Sequence, residues 1–253
     1  MTGAVVEARA LTRVFGKMTA VDHVSFEVAA GERIALIGPN GAGKSTLMKM
    51  LTTMLPPSEG TASVAGYDVV RAPQQVRAHI GYVPQLLSAD GDLSGYENVL
   101  LSARLYLIPR AERARRIAEA LAMMDLTEAK DRLVRTFSGG MARRLEIAQS
   151  MLHRPPVLFM DEPTVGLDPN GRRTVWDHVQ KLRRDIGSAI VFSTHYMDEA
   201  DAEADRIALI HAGKLVALGS PAELKARNGA TASLDEVFQR LTGARFEPVA
   251  PSA

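Results

Sequence analysis

Short apolar runs, separated by polar and glycine-rich turns, set the pattern of this chain. From Val21 to Val28, the apolar positions Val24, Phe26 and Val28 alternate with polar neighbours, which predicts a half-buried strand. Gly31 and Glu32 make a turn. Ile34 to Ile37 is then a continuous apolar run, as a parallel strand covered on both faces requires. Ile80 to Val83, Val157 to Met160 and Ala189 to Ser193 predict three more short strands, the last two fully buried. Elsewhere the period lengthens. A helix is expected from about Lys44 to Met54, stopped by Pro56 and Pro57. The segment from about Gly95 to Leu152 is mostly helical. Within it, Ala114, Ile117, Leu121 and Met124 line one stripe opposite arginines and glutamates. Trp176 to Ile186 is amphipathic helix. Ile207 to Ile210 and Lys214 to Leu218 flank Ala212-Gly213 and predict a hairpin. The tail from about Phe246, rich in Pro and Ala, is expected to fray. Strands alternating with helices predict an α/β sheet with a helical insertion.

Composition narrows the partners. The 253 residues carry a net charge of +1, so no broad field draws the chain to nucleic acid, and no nucleic-acid partner is expected. With 46% hydrophobic residues the chain can build a core. Without cysteine, disulfides, thiolate metal sites and thiol catalysis are excluded together. Met1 to Ala10 holds no apolar run of signal-peptide length, and no stretch approaches the roughly 20 apolar residues of a membrane helix. Any service to a membrane must therefore pass through a partner.

The strongest chemical signal is Gly38-Pro39-Asn40-Gly41-Ala42-Gly43-Lys44-Ser45, which fits G-x-x-x-x-G-K-[ST] at every fixed position. A strand precedes it and a helix follows, as a phosphate-binding loop needs. Its glycines let successive N–H groups converge on an anion, and the helix N-terminus adds positive potential. Lys44 supplies a compact charge for β- and γ-phosphates. Ser45, followed by Thr46, offers a hydroxyl to Mg²⁺. The expected fold is thus a P-loop NTPase core with a mostly parallel sheet, N-terminal antiparallel strands and a helical insertion. The run Val157-Leu158-Phe159-Met160 delivers Asp161 and Glu162 at a strand end. Taken alone, such a pair reads as solvated acids. Beside a phosphate cradle, Asp161 is expected to hold Mg²⁺ and Glu162 to act as general base for an attacking water.

A second constellation narrows the class. Thr136-Phe137-Ser138-Gly139-Gly140-Met141 precedes a helix just upstream of the acidic strand. It resembles the signature motif of ATP-binding cassette (ABC) proteins, with Phe137 and Met141 in place of the usual leucine and glutamine. The resemblance extends over about residues 4 to 225. Gln85 resembles the Q-loop glutamine, Gly166-Leu167-Asp168 the D-loop and His195 the switch histidine, and Phe15 sits where the family stacks an aromatic on adenine. Gly95-Tyr96-Glu97-Asn98, Phe137 to Ile147 and Leu234-Asp235-Glu236-Val237-Phe238 resemble the daunorubicin-resistance group of type-two exporters. Without this context, Phe15 reads as core, Gln85 as a turn residue and His195 as a structural histidine. His153 and His211 read as ordinary, and Arg143 and Arg144 as a solvated helix face.

The resemblance implies a nucleotide-binding domain over residues 1–228, a helical subdomain at about 86–153 within it, and a C-terminal extension over 229–253. It implies an ATP-hydrolysing subunit, peripheral on the cytoplasmic face of the cell membrane, that works with a separate integral membrane permease and drives export, drugs being one candidate cargo. It also implies head-to-tail pairing with a second copy or a related ATPase. Each ATP then lies between one cradle and the partner's Ser138, Gly139 and Gly140, with Asp168 at the contact. Gln85 would touch Mg²⁺ or the water, and His195 the γ-phosphate. The alternative is a soluble ABC ATPase acting on ribosome or DNA, against which a single cassette, the lack of heptads and the small net charge all argue.

Overall fold

The computed structural model describes residues 3–227 and 232–244; the tail expected to fray lies outside them. The chain opens with a long hairpin of β1 (Ala4–Phe15) and β2 (Met18–Ala29). It continues through β3 (Arg33–Ile37), α1 (Lys44–Leu51), β4 (Glu59–Val64), β5 (Tyr67–Asp68), α2 (Pro73–Ala78) and β6 (Ile80–Val83). Three helices follow with no strand between them: α3 (Gly95–Leu105), α4 (Arg110–Met123) and α5 (Gly139–Met151). The alternation then resumes with β7 (Val157–Asp161), α6 (Pro169–Ile186), β8 (Ala189–Thr194), α7 (Met197–Glu203), β9 (Arg206–His211) and β10 (Lys214–Gly219). It closes with α8 (Pro221–Arg227) and α9 (Leu234–Thr242).

The strands make two sheets, an antiparallel one in the order β2-β1-β4-β5 and a larger one in the order β10-β9-β3-β8-β7-β6. In the larger sheet β9, β3, β8, β7 and β6 are parallel, and β10 pairs antiparallel with β9. The Ala212-Gly213 turn between β9 and β10 has positive φ at both residues, which suits the twist of a two-residue hairpin.

The apolar runs of the sequence serve two cores at once. Successive side chains of a strand point to opposite faces. Ile34, Leu36, Val157, Phe159, Ala189 and Val191 face the antiparallel sheet and α1. Ala35, Ile37, Leu158, Met160, Ile190 and Phe192 face the helical side. That is why these strands show no alternation in sequence. The helical side also buries Leu234, Val237 and Phe238 of α9, whose start is fixed by a reciprocal cap between Ser233 and Glu236.

Three expectations are corrected. The first helix stops at Leu51, not near Met54: the Thr52 hydroxyl donates back to the Met48 carbonyl, and Thr53 turns left-handed at φ 64° before either proline. Helix α6 begins at Pro169, seven residues before Trp176. Asp168 caps it by accepting from the Gly171 N–H at 2.6 Å, and this polar first turn carries no apolar stripe. Arg143 and Arg144 are not a solvated face. Helix α5 is surrounded by α3, α4, α6 and β6, so Arg143 is 3% exposed and paired to Glu146 at 2.9 Å, while Arg144 donates to the Met124 carbonyl.

Candidate active site

The loops leaving the carboxyl ends of β3, β6, β7 and β8 meet at one place, the usual site of ligands in parallel sheets. The loop after β3 is the glycine-rich segment. It needs its glycines for space as well as for torsion. A Cβ on Gly38 would lie 2.2 Å from the Ile210 carbonyl oxygen, and one on Gly43, at φ 106°, would lie 2.4 Å from that of Ala20. Gly43 starts α1 with no side-chain cap and no acid in the first turn. Among the described residues no side chain caps the helix's N-terminal N–H groups, which leaves them for an anion. A cleft of about 420 Å³ lies over them, lined by Asn40, Gly41, Ala42, Ser45, Thr46 and neighbours, with Phe15 at its rim. The Phe15 ring is 41% exposed and lies under the Arg13 guanidinium at 4.6 Å.

Lys44 is buried. Its ammonium donates to the carbonyls of Gly38 at 2.7 Å and Pro39 at 3.2 Å, and lies 3.8 Å from Glu162 Oε1. Burial pulls its pKa down, partly opposed by the charges of Glu162 and Asp161. Strand β7 carries Asp161 beside Ser45: the serine hydroxyl donates to Asp161 Oδ1 at 3.2 Å. Ser193, on β8, donates to the same oxygen at 2.5 Å and accepts the Glu162 N–H at 2.9 Å. One hydroxyl thus fixes both acids.

Glu162 sits left-handed at φ 49°, a conformation an L residue holds only when its surroundings impose it. The turn aims its carboxylate at three groups. Gln85 Nε2, from the loop after β6, donates to Oε2 at 3.1 Å. His195 Nδ1, following β8, lies 3.2 Å from the same oxygen, without hydrogen-bond alignment. Lys44 is the third. Burial pushes the Glu162 carboxyl up, but His195 and Lys44 outweigh it and hold the group below the ordinary glutamate value. The carboxylate is therefore ionised at neutral pH.

Cradle, Asp161, Glu162, Gln85 and His195 are brought together. Ser138, Gly139, Gly140 and Asp168 are not part of that cluster. Ser138 caps α5 by accepting the Met141 N–H at 3.3 Å, and Gly139 and Gly140 begin the helix. They adjoin Leu167 and Gly171, beside Asp168. Two features escaped the sequence reading. Ser193 ends a recognised strand two residues before His195, and only the neighbouring β7 gives it partners. Glu199 is buried, and its Oε1 accepts from the Trp176 indole at 2.7 Å and from the Thr164 hydroxyl, which ties α7 to the turn after Glu162.

The oxygens beside the cradle, the Ser45 hydroxyl and the Asp161 carboxylate, are hard donors of the kind Mg²⁺ takes. Among the described residues no group of three or more His, Cys, Asp or Glu could hold a metal without help. This donor set suits an ion that keeps most of its ligands from water and phosphate.

A parallel sheet that feeds a glycine nest into a helix, with paired acids at a neighbouring strand end, defines a P-loop nucleoside triphosphatase. The family model for ABC transporter matches residues 21–165, and the chain belongs to that family: it is an ATP-binding, ATP-hydrolysing subunit. The daunorubicin/doxorubicin resistance ATP-binding protein DrrA of Streptomyces peucetius is 45% identical over 224 residues, which are 88% of this chain and 68% of that protein. The doxorubicin resistance ATP-binding protein DrrA of Mycobacterium tuberculosis is 45% identical over 85% of this chain and 65% of its own length, so the chain spans about two thirds of these relatives. The linearmycin resistance ATP-binding protein LnrL of Bacillus subtilis is 37% identical over 88% of this chain and 72% of its own. Among solved structures, an ATP binding subunit of an ABC transporter superposes with a TM-score of 0.83 at 30% identity, covering 94% of this chain and 99% of that one. The structure of cbiO1 from Clostridium perfringens, part of the ABC transporter complex cbiONQ, gives 0.80 at 27%, covering 88% and 91%.

Proposed function

We propose that this chain powers an exporter of antibiotic-like compounds, closing on ATP with a second ATPase subunit and passing the motion to a separate membrane permease on the cytoplasmic face. The convergence of Lys44, Gln85 and His195 on Glu162 carries the reading of the chemistry. Lys44 leaves its carbonyl partners for the β- and γ-phosphates as nucleotide enters. Phe15 offers its ring to adenine, and Thr46 adds a donor beside Ser45. Ser45, Asp161 and Gln85 would hold Mg²⁺, which supplies charge neutralisation on the phosphate oxygens. Glu162, ionised, takes the proton of the attacking water, and His195 steadies the γ-phosphate.

Ser138 lies apart from its own chain's cradle, so it serves another's. A helix N-terminus with a serine and two glycines is a second anion site, and ATP between two such sites joins two subunits. Among the described residues no helix is long and apolar enough to cross a membrane, which agrees with a separate permease. The docking place we assign is the groove between the sheet core and the helical insertion, near Gln85 to Glu97. Leu86, at 81% exposed, and Leu87 stand uncovered in the Gln85 loop. Export of drug-like molecules is favoured because relatives at 45% and 37% identity carry resistance names.

Glu162→Gln tests the chemistry. Turnover should fall by about 10²–10⁴ while ATP still binds, and the variant should run as an ATP-bound dimer in size-exclusion chromatography. Hydrolysis at the wild-type rate would remove Glu162 from the role of base.

A further inference from the structure

Between Pro84 and Ser88 the chain has neither helix nor strand, yet it must hold Gln85 against Glu162. Its backbone is held from α5. Arg143 Nη1 donates to the Pro84 carbonyl at 2.6 Å and Nη2 to the Gln85 carbonyl at 2.7 Å. Glu146 Oε2 takes the Arg143 Nη1–H at 2.9 Å, while Oε1 accepts both the Ser88 N–H and the Ser88 hydroxyl. Arg143 and Glu146 are each 3% exposed. Two buried charges so placed have one low-energy arrangement, because moving either strands the other without a partner. The guanidinium fork also matters. It spans two adjacent carbonyls and a carboxylate at once, which a point-charge lysine cannot do.

We propose that the Arg143–Glu146 pair is a positioning latch: it fixes the Gln85 loop against Glu162 and makes that contact move as one body with the helix that presents Ser138. Arg143 lies five residues beyond Ser138 on α5, about 7.5 Å along its axis. Displacement of Gln85 within one subunit's site is therefore carried to the helix end that a partner's nucleotide would meet. The latch rests on the reading of Gln85 and Glu162 given above. Neither member lines the cleft over the cradle, so both act through the loop they hold.

The test uses the full chain with Arg143→Gln and Glu146→Gln together, so that neither charge is left buried alone. Expected is a kcat lower by about 10–100-fold, the cost of a misplaced site group, with ATP affinity within about threefold of wild type. Amide exchange at Gln85–Ser88 should speed at least about tenfold, with β3 unchanged. Adding Gln85→Ala should lower kcat no further, because both changes remove the same contact. An unchanged kcat, parallel loss of affinity and kcat, multiplying losses or unchanged exchange each overturn the latch. If Gln85→Ala alone hydrolyses ATP at the wild-type rate, the role of Gln85 falls and the latch with it; unchanged exchange fells the latch and leaves Gln85 standing. Should the double variant not fold, Arg143→Lys keeps the charge but not the fork. It should show intact affinity with a smaller loss of kcat, and wild-type turnover would overturn the proposal.

Discussion

His153 joins the helical segment to the sheet through a single ring. It stacks on Tyr106 at 3.8 Å, and its Nε2–H donates to the Ile80 carbonyl at 3.0 Å. Its Nδ1 is buried and finds no acceptor among the described residues, so a second proton there has no partner to point at. Burial accordingly holds the pKa at about 4, against 6.5 in a free chain. The unfolded state binds the proton first as pH falls. The stability contributed is thus complete above pH 6.5 and is lost between about 6.5 and 4, by at most about 3 kcal/mol. His153→Phe keeps the stack and removes the titration. Its urea-unfolding free energy should vary less than the wild type's between pH 7 and 5, and parallel profiles would show that His153 does not titrate there. Nothing in the sequence distinguishes this histidine, because its partners lie 47 and 73 residues away in the chain. Asp161, Glu162 and His195 were different. An apolar run ending on a polar residue marks a strand end, and strand ends are where these three stand. What the run could not show is that Glu162 turns left-handed or that Ser193 reaches two acids from the next strand.

Elements were legible where one period governed them and illegible where a cap or bulge did. The buried strands follow their apolar patterns closely, and Ile117, Leu121 and Met124 are buried along α4 and its cap, but Ala114, expected on the same stripe, is exposed. The bulged strand β1 does not, because Ala10 at φ 48° shifts its register and breaks the alternation. The start of α6 is set by Asp168 and Pro169, not by its apolar stripe. Helix α9 was visible only as a familiar string of letters, yet Phe238 is fully buried and meets the His211 ring edge-to-face at 5.6 Å. Phe238→Ala should cost about 3–5 kcal/mol by denaturant unfolding. Because α9 packs against α7, which follows His195, the loss should reach the site as well. A cost below about 1 kcal/mol would mean that α9 is dispensable to the core.

For the whole molecule, the sequence carried the layer order, since strands alternating with helices imply a parallel sheet. It could not supply the separate sheet β2-β1-β4-β5 in detail, because the β1–β4 pairing that joins its two local hairpins brings Val6 to Val64. The separation of Ser138 from its own cradle makes a prediction at this scale. Lys44→Ala and Ser138→Arg should each be inactive alone. Mixed, they form hybrid pairs with one intact composite site, so hydrolysis should return. If it does not, the site is complete within one chain.

The meeting of four strand ends has a consequence for abundance. Gly38, Gln85, Glu162 and His195 come together only when β6, β7, β8 and β3 are in register, so an unfolded chain offers ATP nothing to grip. Nucleotide then acts as a thermodynamic reservoir for the folded form. At a free concentration 100 times its Kd, it adds about 2.7 kcal/mol by mass action. In a cell drained of ATP, the subunit would lose its protection from proteases at the moment it lost its fuel.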